Sequence, residues 1–220
     1  MPGVPHHITQ RGNRRMQTFF EDEDYEAYLE LMAEWCGKLG VEVWAYCLMP
    51  NHVHLIAVPE SEDALRRAIG EAHRRYTLGI NSRKGWRGCL WQGRFSSCAV
   101  DKPHLLAAVR HVEMGPVRAG LCRKPWRYRW SSAPAHVAGR DDVLVKVAPM
   151  LKTVARALPD WRAYLAVKTP EETVRRLRLH SRTMRPLGDA GFVAELERLL
   201  DRRLAPRKPG RKPKPKKHKK

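Results

Sequence analysis

The period of apolar and polar residues changes several times along the chain, and the changes outline its elements. His6–Arg11 (HHITQR) alternates and runs into Gly12-Asn13, the pattern of a strand entering a turn. Behind Asp22 and Asp24, the residues Tyr25, Tyr28, Leu29, Met32 and Trp35 recur at helical spacing. They predict an amphipathic helix to about Lys38, stopped by Gly40. Val41–Met49 reads as a strand, Pro50-Asn51 as a turn, and His52–Pro59 as a second strand paired back on it. Ser61, Glu62 and Asp63 open a helix that carries Leu65, Ala68, Ile69, Ala72 and Tyr76. Gly79–Gly93 reads as a loop rich in Arg, Lys, Gly and Trp. Arg94–Asp101 is a fourth strand, and Pro103 opens a helix from His104 to about Met114, ended by Gly115-Pro116.

The order β-α-β-β-α-β plus an extra helix predicts an α+β fold. It is a ferredoxin-like split βαβ arrangement, with a mainly antiparallel four-stranded sheet and helices on one face. After Leu121 the pattern weakens to an aromatic-basic segment at Pro125–Ser132 and helical stretches at 143–157 and 159–167. Gly191–Leu204 is amphipathic, with Phe192, Leu196, Leu199 and Leu200 on one face. The predicted organisation is a main domain over 1–135, a mainly helical extension over 136–206 and a disordered Lys/Arg/Pro tail over 207–220.

Composition narrows the partners. The chain has 220 residues, 43% hydrophobic and 30% charged, which suits one packed domain with extensions. No apolar run approaches the ~18 residues of a membrane helix, and the N-terminus lacks the apolar core of a secretory leader. Five cysteines without a CxxC pair argue against a disulfide framework or zinc knuckle and predict a reducing cytoplasm. The formal net charge of +19 predicts a polyanionic partner, nucleic acid by default. The tail carries nine of the cations, so taking nine from nineteen leaves ten on residues 1–206, and the folded part is basic in its own right.

The sharpest chemical feature is Pro50-Asn51-His52-Val53-His54. On a strand, His52 and His54 point to one face, with Val53 and Leu55 toward the core. Two neutral imidazoles at that spacing can chelate a divalent metal, given a third ligand and open positions for substrate oxygens. Taken alone, so short a pattern is more often just two polar residues on an open sheet face. Flat rings interleave with cations in Arg83–Gly88 and in Trp126-Arg127-Tyr128-Arg129-Trp130, a composition suited to base stacking and phosphate neutralisation. The Gln10–Arg15 turn brings Arg11, Arg14 and Arg15 to one edge.

The stretch AYCLMPNHVHLIAVP resembles the signature strand of the HUH (His-hydrophobic-His) single-tyrosine transposases, in particular the REP-associated tyrosine transposase branch. The resemblance runs through PHHITQRGNRR, FFEDEDY, LWQGRF, PVRAGL and WRYRWSSAPAH, roughly the first 140 residues. It implies that His52 and His54 hold one Mg²⁺ or Mn²⁺ against a phosphate of single-stranded or hairpin DNA. It implies also that a tyrosine on the helix after the fourth strand attacks that phosphate, forming a 5′-phosphotyrosyl enzyme before strand transfer. Arg94 and Arg118 match arginines of the family pattern and are expected at phosphates; in the aromatic-basic run, Trp126 is expected to stack on a base and Arg127 to neutralise the backbone. A cytoplasmic, nucleoid-associated protein is the expected setting. Relatives carry residues ahead of the PGVPHH segment, which Met1 adjoins here.

In one place the chain departs from that pattern. The usual Arg-Tyr-Ile-Glu-Leu-Asn-Pro-Val-Arg-Ala is here Arg110-His111-Val112-Glu113-Met114-Gly115-Pro116-Val117-Arg118-Ala119. His111 occupies the nucleophile position, and Gly115 the position of a polar residue that could complete the metal shell. Four outcomes stay open: attack by the His111 imidazole, hydrolysis by a metal-activated water, substitution by Tyr76, or a DNA-binding chain that no longer cuts. Glu113 is an outside candidate for a replacement ligand. RNA binding on the sheet face would call for aromatic residues where the central strands offer His52 and His54.

Overall fold

The computed structural model of the protein describes residues 1–155 and 160–205. The basic tail at 207–220 and the end of the stretch expected to be helical over 143–157 lie outside the described residues. Strands β1 (His6–Arg11), β2 (Val41–Met49), β3 (His52–Pro59) and β4 (Ser96–Ala99) form one antiparallel sheet in the order β2-β3-β1-β4. Helices α1 (Asp22–Lys38) and α2 (Ala64–Lys84) connect β1 to β2 and β3 to β4, so the split βαβ order is the one expected. Helix α3 (Lys102–Glu113) follows, and then α4 (Gly115–Arg118), α5 (Ala133–Ala138), α6 (Ala148–Val154), α7 (Trp161–Ala166), α8 (Glu171–Thr183) and α9 (Ala190–Leu200).

Alternation along the strands divides the side chains between two cores. Ile8, Val53 and Leu55 point to one face and pack with Tyr28, Met32, Ile69 and Tyr76 of α1 and α2. Cys47, Ile56 and Cys98 point to the other and pack with Leu105, Val109 and Val112 of α3, with Tyr164 of α7 and with Leu177 of α8. Helices therefore cover both faces, not one. The face that carries His52 and His54 is roofed by the chain's C-terminal half.

Two boundaries and one apolar face differ from expectation. Helix α2 runs to Lys84, past the expected loop start. Gly79 costs only about 1 kcal/mol within a helix, and Ile80 beyond it is buried in the first core. Gly85, with φ +66°, then closes it. Gly115-Pro116 does not end the helical path but breaks it, because Pro116 fits the first turn of the short α4. The amphipathic helix near the C-terminus is α9, and of its predicted apolar face Leu196 is buried while Leu199 and Leu200 are exposed.

Candidate functional site

The β1–β3 register sets the site. Thr9 stands opposite His54 and Arg11 opposite His52, so these side chains share the α3 face. On β2, Met49 pairs with His52 and Cys47 with His54. His7, two residues before Thr9, lies diagonal to His54 on that face. Helix α3 lays His111 over the same spot, its ring centroid 6.2 Å from His54 and 6.3 Å from His7. His52 and His54 are 5.1 Å apart. Four imidazoles thus meet where three, His52, His54 and His111, were expected.

Hydrogen bonds fix which nitrogens carry protons. Ser181 of α8 donates its hydroxyl proton to the Leu177 carbonyl at 2.8 Å, so its oxygen accepts from His7 Nδ1 at 2.9 Å. Nε2 of His7 is then an acceptor for His54 Nδ1–H at 3.0 Å. The Asn51 amide oxygen, which can only accept, takes the Nδ1 proton of His52 at 2.6 Å. Both His52 and His54 are left with an unprotonated Nε2. Orientation by a second group in this way is typical of metal-binding histidines.

All four rings are held neutral. Burial pushes His7 and His52 down to about 4, with Arg11 and Arg118 adding to the effect on His52. Burial, then the neighbouring histidines and Arg118, holds His54 well below the usual imidazole range. His111 is pushed down to about 3 by burial, with Arg118, His7 and Arg178 contributing, and its buried Nδ1 has no partner among the described residues. Two neutral Nε2 lone pairs suit a divalent cation. They fit a two-point site rather than a closed one, since no group of three or more His, Cys, Asp or Glu residues among the described residues is placed to hold a metal. Water and phosphate oxygens would have to supply the remaining positions.

The surrounding pocket is cationic. It has a volume of about 620 Å³ and is lined by Arg11, Arg15, Arg94, Arg178 and Arg182 besides His52, His54 and His111. The turn carrying Arg15 is unusual, because Arg14 and Arg15 both hold positive φ, 53° and 62°. A Cβ on Gly12 would lie 2.2 Å from the Met16 carbonyl oxygen, so only glycine permits this turn. Asn51 clamps it by donating to the Arg15 carbonyl at 3.1 Å.

The structure gathers some expected residues and separates others. Arg11, Arg15, Arg94, His52, His54 and His111 meet at the pocket, and Arg14 sits in its bordering turn. Arg118 acts electrostatically on three of the histidines. Trp126 and Arg127 do not line it. Trp126 packs beside the second core, and Arg162 covers its ring at 5.6 Å. Trp130 is buried and stacked on Tyr25 at 4.6 Å, and Arg83 is paired with Glu21 and Asp24.

Two alternatives weighed for the site are excluded by the structure. Tyr76 is buried in the core on the opposite face of the sheet and donates to the Thr18 carbonyl at 2.7 Å. Glu113 is fully buried, accepting from Ser132, His136 and Trp161 at 2.5, 2.6 and 2.7 Å, and so cannot replace a missing ligand. Sequence reasoning missed His7, Arg178, Ser181 and Arg182. Pro170-Glu171-Glu172 was a legible helix start, but nothing in the pattern places that helix over β1.

Comparison with known proteins agrees with this geometry. The family model described as "Transposase IS200 like" matches residues 3–114. No curated protein matches the chain. Among solved structures, the chain is similar to a REP-associated tyrosine transposase bound to a REP hairpin, at 21% identity and a TM-score of 0.55, over 65% of this chain and 85% of that one. That likeness shows a shared fold. A structure from Deinococcus radiodurans R1 assigned as a transposase matches at 23% identity and a TM-score of 0.39, over 49% of this chain and 86% of the other.

Proposed function

The chain belongs to the IS200-like transposase family, and from that premise we propose that it binds single-stranded or hairpin DNA at the histidine–arginine pocket without cutting it through a phosphotyrosine. One observation carries the second half of this reading. The ring over His54 is the imidazole of His111, and none of the six tyrosines lies in α3. Tyr76, the tyrosine considered as a substitute, is sequestered beyond the sheet.

Several features support the DNA half. The pocket presents guanidinium groups, which match phosphate bidentately, beside two imidazoles ready for a cation. The structurally similar REP-associated transposase was captured with a DNA hairpin. When bound, a Mn²⁺ or Mg²⁺ at Nε2 of His52 and His54 supplies positive charge against the non-bridging oxygens of a phosphate. Five arginines repel a bare cation, so the phosphate and the metal are expected to enter together. His7 holds the His54 ring for this role, and Asn51 holds the His52 ring. His111 stays neutral and offers no negative oxygen. The same reading places the protein in the cytoplasm with the chromosome.

A binding titration tests the proposal. A fluorescent single-stranded hairpin should bind the purified chain at least about tenfold tighter than a linear duplex of equal length, with affinity falling as salt rises. Equal or tighter binding to the duplex, or no binding to either, would overturn it.

A further inference from the structure

Helix α8 lies well beyond the segment that defines the family, residues 3–114, yet it forms part of the pocket. Its docking is specific. Leu177 is buried in the second core with Val100, Leu105 and Val109. The segment after the helix continues the edge of the sheet, where Leu187 N–H donates to the Ala99 carbonyl at 2.8 Å and Asp101 N–H to the Leu187 carbonyl at 3.0 Å. One turn after Leu177, Ser181 accepts from His7, which joins α8 to the relay that orients His54.

The charges of α8 are sorted by face. Arg175 reaches back to Glu171 at 3.9 Å and is exposed. Arg178 and Arg182, four residues apart and on one side of the helix, line the pocket with Ser181 between them. Among the described residues, neither forms a salt bridge, and nor do Arg11, Arg15 and Arg94. Among the described residues, no carboxylate lines the pocket. Five guanidinium groups around about 620 Å³ repel one another until an anion enters. Burial lowers the pKa values of both His111 and Arg118, and the charge of Arg178 adds to it. A volume of this size admits a nucleotide-sized ligand.

We propose that α8 is a phosphate-gripping wall of the site, with Arg178 and Arg182 holding backbone phosphates of single-stranded DNA beside His52 and His54. The inference rests on the DNA-binding reading above and adds to it a part of the chain outside the family segment. It makes the C-terminal half a component of recognition rather than an appended domain.

The experiment is a titration of the full chain with a fluorescent single-stranded hairpin at several salt concentrations, using Arg178→Ala/Arg182→Ala, Arg178→Lys/Arg182→Lys and Arg175→Ala. The alanine pair should weaken binding at least about tenfold. It should also flatten the slope of log affinity against log salt by about 1.4, since each phosphate contact on a single strand contributes about 0.7. The lysine pair should keep the slope while losing part of the affinity, because the charge stays and the bidentate fork goes. Arg175→Ala should match the natural chain. Unchanged or tighter binding by the alanine pair would overturn the proposal and leave the DNA-binding reading standing. Failure of the natural chain to bind the hairpin would overturn both.

Discussion

Changing His111 to Tyr and Gly115 to Asn together should give a protein that cuts a single-stranded hairpin in the presence of Mn²⁺ and remains covalently attached to the product. The scaffold for this is in place. Position 111 projects over His54 from α3, its ring centroid 6.2 Å from that of His54, so a phenol there would stand beside one of the two histidines. At position 115 a Cβ would meet Cys47 Sγ at 3.6 Å, Met49 Sδ at 3.7 Å and Arg118 Nη2 at 3.9 Å, ordinary contacts that admit a side chain. Those neighbours include the β2 partners of His52 and His54, so an amide there sits next to the histidine pair. Loss of a nucleophile costs some enzymes about 10⁶ in kcat, and a restored one positioned by inheritance rather than selection should recover at least about 10² of it over background. Denaturing gels of the labelled hairpin, with Mn²⁺ and with chelator, read the result. His111→Tyr alone should cut more weakly than the pair. A double variant that binds the hairpin and leaves it intact would show that more than two residues separate this chain from strand transfer.

The largest effect on stability should come from Glu113→Ala. Glu113 is enclosed where α3 meets α5 and α7. Its carboxylate accepts from the Ser132 hydroxyl, His136 Nδ1 and the Trp161 indole, and the His136 and Trp161 rings stack at 4.1 Å. Deleting the carboxylate strands three buried donors in the second core and leaves a void among them. Breaking a buried pair by removing one partner costs about 3–5 kcal/mol. For a chain of this size each kcal/mol lowers Tm by about 2–4 °C, so a drop of about 10 °C is expected. Thermal unfolding followed by circular dichroism checks it. A Tm within about 1 °C of the natural chain would mean that the three donors find other partners.

The sequence's periodicity carried the sheet, because strand alternation and turn residues are local signals. The order of β1 to β4, the outward direction of His52 and His54 and the inward direction of Val53 and Leu55 were all readable in this way. Placement that depends on distant segments was not. His7 gains its role only from the antiparallel register with β3, and Ser181 only from the docking of a helix 174 residues away in sequence. Glu113 was legible in direction but not in partners: two residues past His111 it points away around the helix, and only the fold brings Ser132, His136 and Trp161 to it. Aromatic-basic runs were ambiguous for a further reason, since Arg129 over a buried Trp130 and Arg178 over an open pocket look alike as letters. Arg129 is neutralised by Asp22 and Glu26, and Arg178 has no such partner among the described residues.

The central claim is that this member of the family retains the DNA pocket and lacks the nucleophile. Incubation of the natural chain with an end-labelled single-stranded hairpin, with Mn²⁺ and with chelator, tests it most directly. One half of each sample is run on a native gel and the other on a denaturing gel. The account predicts a retarded complex on the native gel and, on the denaturing gel, intact hairpin with no protein-linked band under either condition. Metal-dependent cleavage, or a protein–DNA band that survives denaturation, would contradict it.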